Sequence, residues 1–227
     1  MGTPRRPVTC VIVASHTEEK SLRYTYSEAK SITMLGKQDQ VNAAEVKYSR
    51  LFFPIIALAL FLGLWSSPAL SLWRWFDWHP LTMSLGFVGL ASLAVLKKRV
   101  GGKGPTVQHG NMANAGVLFG IAGWYVIYSN KEMLGKQHLT SLHGKLGAAS
   151  LVSFIILGLV GALGLHPDFG KVKTHTIVRK VHKYSGRAAL LLSWSAAFTG
   201  FIKFESSLTV QVPVVVALSA LSYFTLL

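Results

Sequence analysis

The chain of 227 residues holds one cysteine, Cys10. An intrachain disulfide is therefore excluded, and so is a cluster held by several thiolates, such as an iron–sulfur centre. Acid is scarce as well: 9 Asp and Glu stand against 23 Lys and Arg, for a formal net charge of +14. Charged residues of both signs make up 14 % of the chain, few for a soluble domain, while 51 % of residues are hydrophobic. The apolar run from Val8 to Ala14 is too weak for a secretory signal peptide. Met1-Gly2 is followed by Arg6 where a myristoylation signal requires Ser or Thr.

Long apolar runs are what the sequence does have. They predict an all-α integral membrane protein with six transmembrane helices, over 51–73, 79–96, 110–128, 141–165, 182–203 and 207–227. Residues 1–50 are polar and without sustained periodicity, which predicts a flexible arm ahead of a membrane domain at 51–227. Basic residues gather in alternate connections. Lys37, Lys47 and Arg50 precede the first span, Lys97, Lys98, Arg99 and Lys103 follow the second, and Lys171, Lys173, Arg179, Lys180 and Lys183 follow the fourth. The first and fifth connections carry only Arg74 with Asp77 and Lys203 with Glu205. The positive-inside rule then predicts cytoplasmic N- and C-termini. A lipid bilayer uses the whole positive excess, so nucleic acid is not an expected partner.

Four consecutive spans each open on a histidine: His79, His109, His143 and His182. Ionisable side chains inside a membrane are costly and usually functional. The topology sorts these four into His79 with His143 near the non-cytoplasmic face and His109 with His182 near the cytoplasmic one. In an antiparallel bundle, two histidines at one depth can approach a flat cofactor from opposite sides. Haem b suits that arrangement, because its iron accepts two axial imidazoles. Small residues follow each histidine, among them Gly86, Ala113, Gly147 and Gly186, and leave room for a macrocycle as well as for close helix packing. Zinc fits less well, since it wants three or four converging ligands. The alternative is a small proton-coupled transporter with the histidines relaying protons, although neither an inverted repeat nor a broken helix pair is visible. His16, His166 and His175 lie in polar segments and read as solvated. His138 stands five residues before His143, at the expected mouth of the outer pair.

Several of these stretches carry a resemblance. Trp78-His79-Pro80 leading into Met83-Ser84-Leu85, Lys131-Glu132 through Leu134-Gly135-Lys136, His138-Leu139, His143-Gly144, and His182 with Ser185-Gly186 resemble the cytochrome b561 family. Within it the chain is most similar to the short stand-alone members, since no catecholamine-binding domain of the DOMON type is visible. The resemblance spans residues 70–227. It implies six helices whose middle four, helices 2–5, form a central four-helix bundle holding two b haems. It pairs His79 with His143 and His109 with His182. It also implies an ascorbate-dependent transmembrane oxidoreductase that passes electrons from cytoplasmic ascorbate to monodehydroascorbate or a ferric chelate across the membrane. Homodimers are common in the family, though the sequence points to no interface. Val107 and Asn130 depart from the family pattern, which often has a basic residue and a histidine at those places.

The rims follow from the charges. Lys98, Arg99, Lys103, Arg179 and Lys180 are the expected contacts of the ascorbate anion, with Lys103 and Lys180 closest in sequence to the inner histidines. The same cations also enforce topology and meet lipid headgroups. Lys136 and His138 are the expected contacts of the outer acceptor. No catalytic nucleophile is required. Trp124 and Tyr125 could lie between the redox centres, with core packing as the plainer role.

Overall fold

The computed structural model describes residues 39–65 and 72–226, together with Ser31, Thr33, Met34 and Gly36. The chain divides into two units, Met1–Ala43 and Ala44–Leu227. The described part of the first unit is helical. Most of the arm expected over 1–50, with Cys10 and His16, lies outside the described residues.

Helices are the regular elements of the second unit, and no strand occurs among its described residues. Its elements are α1 (Phe52–Leu64), α2 (Trp75–Val100), α3 (Lys103–Met133), α4 (Leu142–Gly164), α5 (Thr176–Phe201) and α6 (Leu208–Leu226). Among the described residues, five helices are long and apolar enough to cross a membrane: Asp39–Leu64, which contains α1, and α2, α3, α4 and α6. The remaining one, α5, is 26 residues long. Its first half bears Arg179, Lys180, Lys183 and Arg187, which dilute an otherwise apolar sequence.

Helix ends differ from the expected ones at three places. The first span ends at Leu64 rather than at residue 73. Helices α3 and α5 begin well before 110 and 182, because polar and basic residues continue the helix outside the apolar stretch. His109 and His182 are therefore each the seventh residue of a helix, two turns in, while His143 stands at the second position of α4.

Local chemistry fixes where the site-bearing helices begin. Asp77 is fully buried, and its carboxylate accepts from the Arg74 backbone N–H at 2.8 Å and from Arg74 Nη2 at 3.0 Å. That clasp closes a short 3₁₀ turn, Trp75–Asp77, directly ahead of His79. Ser141, two residues before His143, caps α4, its Oγ accepting from the Gly144 N–H. Between α2 and α3 the chain has only Gly101 and Gly102, at φ +85° and +84°. Two residues in that left-handed region fold α3 back against α2, and glycine alone adopts it without strain.

Helix α2 is the central element, with 61 % of its apolar window buried against 17–22 % for the other spans. It carries a widened π-type segment, Ser84–Leu90, and α4 ends in another, Val160–Gly164. Such turns recur at functional positions in helices. In the core Phe87 of α2 stacks on Phe154 of α4, ring centres 4.8 Å apart and planes 14° from parallel. Leu118, Ile156, Leu163 and Val216 are exposed on the bundle surface, as side chains facing lipid would be.

Candidate metal centres

The four histidines meet in two pairs, each across the bundle. His79 of α2 faces His143 of α4 with ring centres 6.0 Å apart and planes at 83°. His109 of α3 faces His182 of α5 at 6.4 Å and 86°. Three of the rings are fixed by backbone carbonyls. His79 Nδ1 bonds Gly123 O at 2.9 Å, His109 Nδ1 bonds Ala94 O at 2.8 Å, and His143 Nδ1 bonds Ala196 O at 2.8 Å. A carbonyl only accepts, so Nδ1 carries the hydrogen and the Nε2 lone pair is left available to a metal.

These bonds follow a repeat. Gly123 lies fourteen residues after His109, and Ala196 fourteen after His182. The α2–α3 and α4–α5 hairpins thus hold their first histidine in the same way. The repeat is broken once. Ala94, which accepts from His109, lies fifteen residues after His79, and the equivalent position after His143 is Gly158. His182 Nδ1 is buried and has no partner among the described residues. The π-type turn of α4 begins two residues beyond Gly158 and brings Gly161 beside the His182 ring.

The geometry suits a metal already held in a planar ring. Two imidazoles on opposite sides of one ion, at about 2 Å per metal–nitrogen bond, have ring centres about 6–6.5 Å apart. Both pairs meet that spacing. Among the described residues no group of three or more His, Cys, Asp or Glu converges as a free ion would need. A cavity of about 410 Å³ opens at the His79–His143 pair, between Met83, Phe87, Trp124, Ala148 and Phe204, within the range of small-ligand and cofactor sites. On its far wall α5 comes so close that a Cβ at Gly200 would stand 2.8 Å from the His143 ring. The residues present therefore fit a haem that would be held between the two histidines of a pair.

The expected rim residues divide. At the His109–His182 end, Lys98 Nζ donates to Thr106 Oγ1 at 2.8 Å, one turn ahead of His109. Arg99 is turned away and donates to Thr225 O at 2.8 Å, tying α2 to the end of α6. Lys103 forms an ion pair with Asp168 of the α4–α5 connection. That hydrogen bond with Lys103 holds the Asp168 carboxyl below the usual carboxylate range. The pair is thus intact at neutral pH and is lost only as pH falls through that lowered value. Arg179 and Lys180 lie exposed on the first turns of α5. At the other end His138 lines the same cavity as His79 and His143. Its Nε2 meets Glu132 Oε1 at 2.7 Å and its ring stacks on Tyr128 at 4.7 Å. Lys136 does not reach that cavity and instead lines a neighbouring cleft with Arg74, Trp75, Asn130 and Lys131. Arg74 had only its charge as a signal in the sequence, whereas Lys131 stands in a family-like stretch and Asn130 at a place where the family often has a histidine. Trp124 lines the cavity, whereas Tyr125 is exposed on the bundle surface.

Among known proteins, the chain is 26 % identical over 166 residues to the transmembrane reductase CYB561D2 of Bos taurus, a match covering 68 % of this chain and 72 % of the relative. The protein of the same name from Homo sapiens is 27 % identical over 167 residues, with the same coverage. The profile described as eukaryotic cytochrome b561 matches residues 78–206, more than half the chain and all four paired histidines. On that match the chain is a member of the eukaryotic cytochrome b561 family.

Proposed function

We propose that this protein is a transmembrane oxidoreductase that takes single electrons from cytoplasmic ascorbate and delivers them to monodehydroascorbate or a ferric chelate on the opposite side. The observation that carries this reading is the pair of cross-bundle contacts, His79–His143 and His109–His182, at the spacing of two axial ligands. They would hold two b haems, one near each face of the membrane. When bound, each haem would supply a one-electron iron couple whose potential would be set by its histidine ligands and its burial. The chain itself orients the ligands through Gly123, Ala94 and Ala196. It also keeps water out of the middle of the bundle with the Phe87–Phe154 stack.

The basic connections support a cytoplasmic position for the His109–His182 end and for both termini. Ascorbate, an anion at neutral pH, would meet Lys98, Lys103, Arg179 and Lys180 there. Lys98 is the best placed of these, beside the Thr106 hydroxyl and one turn from His109. Arg99 acts as a brace to α6. Lys103 is shared with Asp168, which competes with the substrate for the same ammonium. Asp168→Asn is therefore expected to lower the half-saturating ascorbate concentration about two- to fivefold at low salt, with no gain at high salt, as for exposed ion pairs. Steady-state reduction measured at both salt concentrations checks this. At the other end His138 would contact the acceptor directly and Lys136 from the adjoining cleft.

The deciding experiment uses sided vesicles with ferric citrate or monodehydroascorbate trapped inside and ascorbate added outside. Reduction of the trapped acceptor, with a reducible b-type absorbance band, is the expected result. A folded, colourless protein would instead favour the proton-coupled transporter. Haems that ascorbate cannot reduce would leave them a structural role only.

A further inference from the structure

We propose that α5 carries a binding site for one acidic glycerophospholipid, seated on Lys183, Tyr184 and Arg187 at the His109–His182 end of the bundle. Helix α5 runs antiparallel to α4 along its length. His143 of α4 bonds Ala196 near one end, and Gly161 of α4 lies beside the His182 ring near the other. Arg187 stands five residues beyond His182, about 7.5 Å deeper at 1.5 Å per residue. From Arg187 to the end of α5 at Phe201 only about 21 Å of helix remains, against about 30 Å of hydrocarbon in a bilayer. The backbone at Arg187 therefore lies below the level of the lipid headgroups.

A charge at that depth needs a counter-charge, and the neighbouring helices supply none. Neither α5 nor the helices α4 and α6 packed beside it contain an Asp or Glu. In α2, which also packs on α5, the one acid is Asp77, held by Arg74 at the opposite end of the bundle. Arg187 does not serve the histidine pair either, because it stands about 140° around the helix from His182 at 3.6 residues per turn. Its guanidinium lies over the Tyr184 ring, 5.9 Å from the ring centre, and Lys183 Nζ stands 5.6 Å from the same centre. Neither cation makes a hydrogen bond or ion pair among the described residues. Arg187 thus reaches one turn back toward the start of α5, the direction in which helical side chains lean, and so toward the headgroups.

The patch matches a phosphodiester with chains attached. A guanidinium takes two phosphate oxygens at once and an ammonium adds a second charge. Tyr184 is exposed between them, as aromatic rings at membrane interfaces are. Deeper along the same side, Ala188 and Leu191 are exposed too and give an acyl chain an apolar track. A zwitterionic lipid brings its own cation beside the phosphate and gains less from two more. A soluble anion lacks the chains that would carry its phosphate to the depth of Arg187.

The test is native mass spectrometry of the full-length protein in a neutral detergent, offered dioleoyl phosphatidylglycerol and dioleoyl phosphatidylcholine in equal amounts. Phosphatidylglycerol is expected to stay bound, one per chain, while phosphatidylcholine is lost. Arg187→Gln is expected to weaken that binding about tenfold, on the scale of one charge-assisted contact, and Lys183→Gln about threefold, as for an exposed charge. Lys171→Gln removes an exposed cation of the α4–α5 connection that has no place in the site, and should bind like the parent. Circular dichroism verifies folding; should Arg187→Gln fail to fold, the lipid preference of the parent and the loss in Lys183→Gln still decide. Equal retention of the two lipids, parent-like binding in the double variant, or a loss in Lys171→Gln as large as in Arg187→Gln overturns the proposal. So does displacement of the lipid by equimolar glycerophosphoglycerol, its headgroup without chains, which would make the site one for a soluble anion. A lipid-free dimer that Arg187→Gln turns into a monomer would give the patch to a second copy of the chain and overturn the proposal likewise.

Discussion

His109→Ala is expected to reduce bound haem from about two equivalents to about one and to abolish rapid reduction by ascorbate, since the lost centre is the one nearest the basic rim. The expectation follows from the pairing. His109 and His182 face each other at 6.4 Å, and nothing else among the described residues supplies a third ligand there. With His109 gone, His182 would have to hold iron alone, and its own Nδ1 lacks the carbonyl that steadies the other three rings. His109 is thus the better-anchored ligand of that pair, and its loss should be felt more than that of His182. The substitution also removes the His109 Nδ1–H bond to Ala94 O, at a cost of about 0.5–1.5 kcal/mol. Haem-to-protein ratio by pyridine haemochrome, beside His79→Ala and His143→Ala, checks the assignment. The latter two should remove the other centre and leave ascorbate able to reduce the first. Two haems retained in His109→Ala would sink the pairing.

The four ligand candidates were legible in the sequence because two simple patterns coincide on them. Apolar runs of membrane length mark the helices, and alternating loop charge sorts helix starts to one face or the other. Depth was not legible to the same degree. The first turns of α3 and α5, from Lys103 and Thr176, are polar, and a hydropathy pattern ends where the helix does not. The carbonyl partners of the rings were beyond reach for a different reason. Gly123, Ala94 and Ala196 act through backbone atoms, which leave no mark in side-chain chemistry. Once the hairpins are seen to repeat, the fourteen-residue interval from His109 to Gly123 and from His182 to Ala196 can be read off the chain, though nothing in composition points to it. The rims were readable only as charge. A run such as Lys97-Lys98-Arg99 gives no sign that these three side chains reach Glu45, Thr106 and Thr225 in three different directions.

Gly86→Ala and Gly116→Ala are expected to damage both centres together, although neither residue touches a histidine. A Cβ at Gly86 would stand 2.7 Å from Gly116 O, and one at Gly116 would stand 2.8 Å from Gly86 O. The obstacle in each case is backbone, which cannot swing aside as a side chain can, so α2 and α3 must separate. Overpacking of this kind costs about 1–3 kcal/mol. Separation then acts at a distance, because the same two helices exchange the bonds that orient one histidine of each pair. His79 on α2 bonds Gly123 on α3, and His109 on α3 bonds Ala94 on α2. Gly86 and Gly116 lie between those two bonds along the helices, so both lengthen when the contact opens. The double variant is expected to lose most of both haems and to unfold at a lower temperature. Gly104→Ala, at the exposed start of α3 where a Cβ meets nothing within 4 Å, should keep both haems and the parent melting temperature. Haem content and thermal unfolding of the four variants in one lipid make the comparison. A Gly86→Ala, Gly116→Ala protein with both haems at full occupancy would mean that the α2–α3 contact does not position the ligands.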